Sequence, residues 1–167
     1  TGYQDYATAA LTSLAKFDLS GPGAAAFAAR QLGGRLGEDG AIERLFLTTP
    51  KGRVEAAFVV LRVSERHYYL TAAPQAELHH QASLERRLPA DGSVRLENVT
   101  PRHGALLLAG PRARDILARV TEARIDKAAF PPATARDIEI GYAMARVLRL
   151  SDVGELAFEI HVPVDCL

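Results

Sequence analysis

The sequence predicts an α+β fold built mainly from antiparallel sheets with flanking helices. Three observations predict it. Strand-like and helix-like runs are mixed along the chain, short turns dominate the connections, and one strand–corner–helix pattern occurs twice. The stretch FDLSGPGAAAFAAR (17–30) aligns without gaps with LLLAGPRARDILAR (106–119). Each copy reads as an apolar strand, a Gly-Pro corner and an amphipathic helix. Pro22 and Pro111 suit a first helical turn, where an absent N–H leaves no partner unmade. Phe27 and Ile116 occupy matching places, with Leu32 and Val120 further along as the rest of a buried helix face. A Gly-rich turn before a helix can cradle phosphate, but neither copy holds a GxGxxG or a Walker lysine, so the units are read as structural.

Between the two units lies a predicted meander. AIERLFLTT (41–49) alternates in part, PKG (50–52) is a turn signal, and RVEAAFVVLRV (53–63) is a second strand. SER (64–66) turns again before a third strand, HYYLTAA (67–73). PQAELHHQASLERRL (74–88) reads as a helix opened by Pro74, with Leu78, Ala82 and Leu88 on its apolar face. PADGS (89–93) is a loop and VRLENVT (94–100) a strand entering the second unit. After FPP (130–132) come RDIEI (136–140), AMARVLRL (143–150) and SDVGELAFEIHVP (151–163), the last two forming a hairpin around SDVGE.

Composition narrows the function classes. The 167 residues are 48% hydrophobic and 24% charged, those of an ordinary globular chain, and twenty basic residues balance twenty acidic ones. That balance argues against a nucleic-acid surface or an anionic membrane as the main partner, since both show as a basic excess. The longest apolar runs, such as GALLLAG (104–110), are too short to span a bilayer, and the first 17 residues lack the pattern of a signal peptide. The single cysteine, Cys166, excludes an intrachain disulfide and suits a reducing compartment, so a cytoplasmic location is expected, or a mitochondrial matrix in a eukaryote.

Few residues announce chemistry by themselves. His79 and His80 are adjacent, point about 100° apart on a helix and cannot share a metal as an i, i+4 pair could, so a solvated face is expected and no metal site. His67 and His103 stand isolated, and no GxSxG, CxxC or HExxH occurs. In the closing strand, Phe158, Ile160 and Val162 share one face while Ala157, Glu159 and His161 share the other. Glu155 falls in or beside the turn. Glu159 lies mid-strand, and periodicity leaves both a solvated carboxylate, the commoner case, and a ligand-binding one open.

Four segments in order, AKFDLSGPGA, LPADGSVRLENVT, LLLAGPRARDIL and SDVGELAFEIHVP, resemble the folate-binding region of the dimethylglycine dehydrogenase and sarcosine dehydrogenase family. That region is a relative of the glycine-cleavage T protein, an aminomethyltransferase. The resemblance runs from about Ser13 to Pro163. It implies a T-protein-like fold lacking its C-terminal barrel domain, with residues 1–100 as the first subdomain and 101–167 as a second, incomplete one. It also implies a tetrahydrofolate-binding, one-carbon-transfer domain or subunit of a sarcosine- or dimethylglycine-oxidising flavoenzyme, which yields 5,10-methylenetetrahydrofolate. No Gly-rich dinucleotide fingerprint occurs, so the FAD is expected on a partner chain or a further domain, within a homo- or hetero-oligomer.

Carried over residue by residue, the family's pterin-binding carboxylate matches Glu159, and its turn matches Gly154 and Glu155. The family's pocket tyrosine falls at Asp152, which with Glu159 and Gly154 makes up the expected folate-binding set. The family's catalytic acidic position, in GGIVxD, falls at Ala56 of KGRVEA. Glu55 is adjacent, but neighbouring strand positions face opposite sides unless the strand carries a bulge. An alternative reading of these departures is a non-catalytic assembly or scaffold subunit that kept the fold and lost the folate site.

Overall fold

A computed structural model describes residues 5–34, 37–151 and 154–167. The chain folds as two compact units, Leu14–Thr100 and a second that joins residues 5–13 to Pro101–Leu167. Each carries one five-stranded antiparallel sheet.

The first unit opens with β2 (Ala15–Ser20), following β1 (Ala7–Ala10) of the second unit. Gly21 then turns the chain at φ +125° into α1 (Ala24–Leu32). A Cβ at Gly21 would collide with the Ser93 carbonyl oxygen, so the corner requires glycine on both conformational and steric grounds. α1 buries Ala24, Phe27, Ala28 and Leu32 and stops at Gly33, which takes the left-handed conformation at φ 71°. The expected meander follows as β3 (Ile42–Thr48), β4 (Val54–Ser64) and β5 (His67–Ala72). A 3-10 turn (Pro74–Ala76), α2 (Glu77–Glu85) and β6 (Arg95–Asn98) complete a sheet of order β3-β4-β5-β2-β6. Its core face gathers Phe17, Leu19, Leu45, Leu47, Phe58, Val60 and Leu70 against α1.

The second unit repeats the strand–corner–helix unit. β7 (His103–Ala109) leads through Gly110, at φ +113°, into α3 (Ala113–Leu117). A Cβ at Gly110 would lie 2.9 Å from the Asp5 carbonyl oxygen. β8 (Thr134–Ile140), β9 (Ala143–Arg149) and β10 (Ala157–Pro163) follow, and the sheet runs β1-β7-β10-β9-β8. One face packs Leu108, Ile138, Ala145, Val147, Phe158 and Val162 with Leu117 of α3 and with Phe130. Both sheets are antiparallel, as the alternation and the short turns predict.

Several details differ from expectation. Residues 5–13, expected with the first subdomain, group with the second unit because β1 pairs with β7, Ala7 opposite Ala109 through Ala10 opposite Leu106. The helix expected over 74–88 is α only over Glu77–Glu85. Its inward face is His80, Ser83 and Leu84, while Leu78 is 81% exposed. The His80 ring packs on Phe58 with centroids 5.2 Å apart, which turns the helix face away from Leu78. α3 spans only five residues, so Val120 lies beyond it and is exposed, and Leu117 takes the buried place.

Candidate functional site

β10 lies at the middle of its sheet, between β7 and β9. Its alternation is as the periodicity requires: Phe158, Ile160 and Val162 face the core, and Ala157, Glu159 and His161 face the other side. Glu159 sits opposite Leu107 on one flank and Leu148 on the other. Its side chain retains 18% exposure, so the carboxylate is neither fully solvated nor sealed off. His161, two residues on, has a fully buried side chain whose Nε2 lies 3.4 Å from Glu159 Oε2. An ionised carboxylate only accepts hydrogen bonds, so the imidazole nitrogen facing it is the donor.

The same face continues across the sheet. Arg146 lies directly opposite His161, and Asp137 lies directly opposite Arg146. Arg146 donates to both oxygens of Asp137, Nε to Oδ1 at 2.9 Å and a terminal nitrogen to Oδ2 at 3.0 Å. Three strands thus carry a polar row, Asp137–Arg146–His161, that ends on Glu159. The cross-strand members are invisible to sequence reading, whereas Glu159 and His161 at i and i+2 could be paired from it.

Of the remaining expected pterin-site residues, Gly154 occupies the turn before β10 at φ +83°, with open space where a Cβ would stand. Glu155 beside it is exposed. Asp152 lies outside the described residues.

Ala56 and Glu55 belong to the first unit. Ala56 is 3% exposed and packs within that unit's core cluster. The strand does carry a bulge here: Leu47 faces Ala56, while Thr48 faces Val54, so Glu55 is the extra residue. The carboxylate so released is committed to α2 and the residues after it. Ser83 Oγ donates to Oε1 at 2.6 Å, Arg86 donates to the same oxygen at 3.1 Å, and Arg87 donates to Oε2 at 2.8 Å. Hydrogen bonds from Arg87 and then Ser83 outweigh partial burial and hold the Glu55 pKa at about 2, against an ordinary value of 4.5. Glu55 is therefore an ionised structural anchor, a role that only the bulge and the packing of α2 reveal.

The histidines divide differently from expectation. His79 is exposed, as a solvated face requires, but His80 is buried against Phe58, and burial, then His79, lower its pKa. His67, expected to stand isolated, has Nε2 2.7 Å from Asp18 Oδ1, a cross-strand pair between β5 and β2. Among the described residues no three His, Cys, Asp or Glu side chains are grouped to hold a metal ion. Nor is any helix among them long and apolar enough to cross a membrane. An open groove of about 1130 Å³ in the second unit runs between the end of α3 and the β8–β9 hairpin, lined by Arg119, Glu139, Tyr142 and Cys166 among others, and Glu159 is not part of its wall.

Comparison with known proteins bears on the family and the fold. The GCVT N-terminal domain model matches residues 4–167. The mitochondrial pyruvate dehydrogenase phosphatase regulatory subunit of Mus musculus is 31% identical over 107 residues, covering 64% of this chain and 12% of that protein. The mitochondrial dimethylglycine dehydrogenase of Homo sapiens is 29% identical over 116 residues, covering 69% of this chain and 13% of that protein. The chain thus spans only about an eighth of the length of these two relatives. The crystal structure of the glycine cleavage system aminomethyltransferase T from Bartonella henselae superposes with a TM-score of 0.83 over 97% of this chain and 43% of that one. At 20% identity this likeness speaks to the fold alone. With the family model spanning nearly every residue and the T-protein fold reproduced, the chain belongs to the GCVT N-terminal domain family, the T-protein-like group to which dimethylglycine dehydrogenase is related.

Proposed function

We propose that this chain is the tetrahydrofolate-binding, one-carbon-transfer part of a sarcosine- or dimethylglycine-oxidising flavoenzyme, acting beside a flavin-bearing domain or subunit. The observation that supports the reading is Glu159, a mid-sheet carboxylate that is 18% exposed and takes a hydrogen bond on Oε2 from its strand neighbour His161, at the place that the sequence resemblance assigns to the family's pterin-binding acid. The residues fit the group in chemical type. The amino-pyrimidine edge of a pterin presents N–H donors, and a carboxylate has lone pairs on both oxygens to receive them. Bound there, the folate would supply the nitrogen nucleophile that accepts the one-carbon unit to give 5,10-methylenetetrahydrofolate. Glu159 would orient it and Gly154 would let the turn before β10 adopt its left-handed conformation, while Asp152, which the resemblance adds to the folate-binding set, lies outside the described residues. Titration of tetrahydrofolate into this chain assembled with its flavin partner, followed by calorimetry, tests the reading. Saturable binding supports it and absence of binding in the assembled complex refutes it.

A second reading is favoured by a specific observation. The family's acidic position is Ala56, buried in a core, and the adjacent Glu55 is consumed by Ser83, Arg86 and Arg87. No carboxylate at that place is free to ease a proton from an attacking amine. This suits a non-catalytic assembly or regulatory subunit, and a relative at 31% identity carries a regulatory-subunit name. The two readings separate in one experiment, because the second, having lost the folate site, predicts neither folate binding nor formation of methylenetetrahydrofolate in the complete complex, whereas the first predicts both.

A further inference from the structure

We propose that His161 is the positioning residue of the Glu159 carboxylate, holding it in the orientation in which it receives the paired donors of a pterin; the inference rests on the reading that Glu159 is the folate-binding acid. Glu159 and His161 are two apart on β10 and project from the same face, so their side chains stand side by side. The imidazole is fully buried and its Nε2 reaches Glu159 Oε2 at 3.4 Å, whereas the carboxylate keeps 18% exposure. The fixed member of the pair is therefore the histidine and the accessible member is the acid.

The same sheet face is ordered across the neighbouring strands. Arg146 stands opposite it on β9 and is locked to Asp137 on β8 through two parallel hydrogen bonds. The guanidinium is thus held on the same sheet face by a partner of its own, and the row ends on the carboxylate. A carboxylate offers about four acceptor sites. His161 uses one, on Oε2, which leaves Oε1 and a further lone pair on Oε2 for two parallel N–H donors arriving from the open side. A glutamate left to itself samples several rotamers and must be ordered when a ligand binds; one already held by a buried donor has that ordering done in the folded state.

Tetrahydrofolate affinity of the full chain assembled with its flavin partner, measured by calorimetry, with thermal unfolding recorded by circular dichroism on the same samples, tests this. Four variants are compared with the parent: Glu159→Gln, His161→Gln, His161→Asn and His161→Leu. Glutamine places an amide N–H near the position of Nε2, asparagine places it short of the carboxylate, and leucine removes it. The expected result is that His161→Gln binds within about twofold of the parent, while His161→Asn and His161→Leu bind roughly fivefold more weakly. If His161→Leu fails to fold, the contrast between the glutamine and asparagine variants decides alone. Equal affinity in those two variants, whether both match the parent or both weaken alike, overturns the positioning role and leaves His161 as a packing residue. A parent chain that does not bind tetrahydrofolate fails the folate reading itself, and a parent that binds as well as Glu159→Gln fails the assignment of Glu159. These outcomes are distinct from a failure of His161.

Discussion

Replacing Glu55 with glutamine keeps the shape of the side chain and removes the charge on which three donors converge. In the folded chain this carboxylate is 14% exposed and its pKa falls from 4.5 to about 2. At about 1.4 kcal/mol for each pKa unit, that difference corresponds to roughly 3 kcal/mol of preference for the ionised form in the native state. Arg86 is 61% exposed, so its part is screened by water and contributes little. The Arg87 and Ser83 hydrogen bonds are the better sheltered, Arg87 being 20% exposed, and about 2 kcal/mol is assigned to them. Because the native pKa is depressed, the stabilisation is fully present above about pH 4.5 and is lost as pH falls towards 2. Urea unfolding followed by circular dichroism, on the parent and on Glu55→Gln at a series of pH values, reads this directly. The variant is expected to be less stable by about 2 kcal/mol at pH 7, with the gap closing between pH 5 and about 2. A gap below about 0.5 kcal/mol at pH 7, or one of the same size at pH 2.5, refutes the assignment of Glu55 as an ionised anchor of α2.

Two further substitutions test the packing around the expected sites. Ala56→Asp introduces the acid that the sequence resemblance expects at a place that is 3% exposed and walled by the first unit's core, and it is expected to cost roughly 3 kcal/mol or more, read as a shifted urea midpoint. A variant that keeps the parent's stability would show that position 56 opens onto solvent or a ligand site. Arg114 lies over the Phe158 ring at 5.5 Å with both terminal nitrogens buried and without a hydrogen-bond partner, and beside Arg149, whose pKa burial and then Arg114 push down. Arg114→Met keeps the stem over the ring and removes the unpaired donors, so stability is expected to change by less than about 1 kcal/mol, with a gain favoured. A loss above about 2 kcal/mol would show that the guanidinium has a bonding role.

The parts of the fold that were legible in the sequence are those written in backbone chemistry. The Gly-Pro corners at 21–22 and 110–111 fixed two strand-to-helix passages, because each glycine must take a positive φ where a Cβ would strike another segment. The alternation of β10 placed Glu159 and His161 on one face, and the structure puts them there in contact. What was not legible depends on partners distant in sequence. Residues 7–10 carry no strand signal of their own, because the strand character of β1 comes from pairing with β7 about a hundred residues away. Leu78 was assigned inward by hydrophobicity, yet Phe58 receives His80 instead. Asp18 and His67 are 49 residues apart and meet only because β2 and β5 are neighbours. The bulge at Glu55 leaves no mark in RVEAAF, and without it the commitment of that carboxylate to Arg87 could not be anticipated.

That Glu159 is a folate-binding acid is tested most directly by equilibrium dialysis of tetrahydrofolate against the parent chain and Glu159→Gln, each assembled with the flavin partner, with matched thermal unfolding to show that both are folded. Saturable binding by the parent and at least tenfold weaker binding by the variant are expected, the loss that follows when a charged acceptor of two donors becomes a neutral amide. Equal binding by the two chains, or no binding by a folded parent, contradicts it.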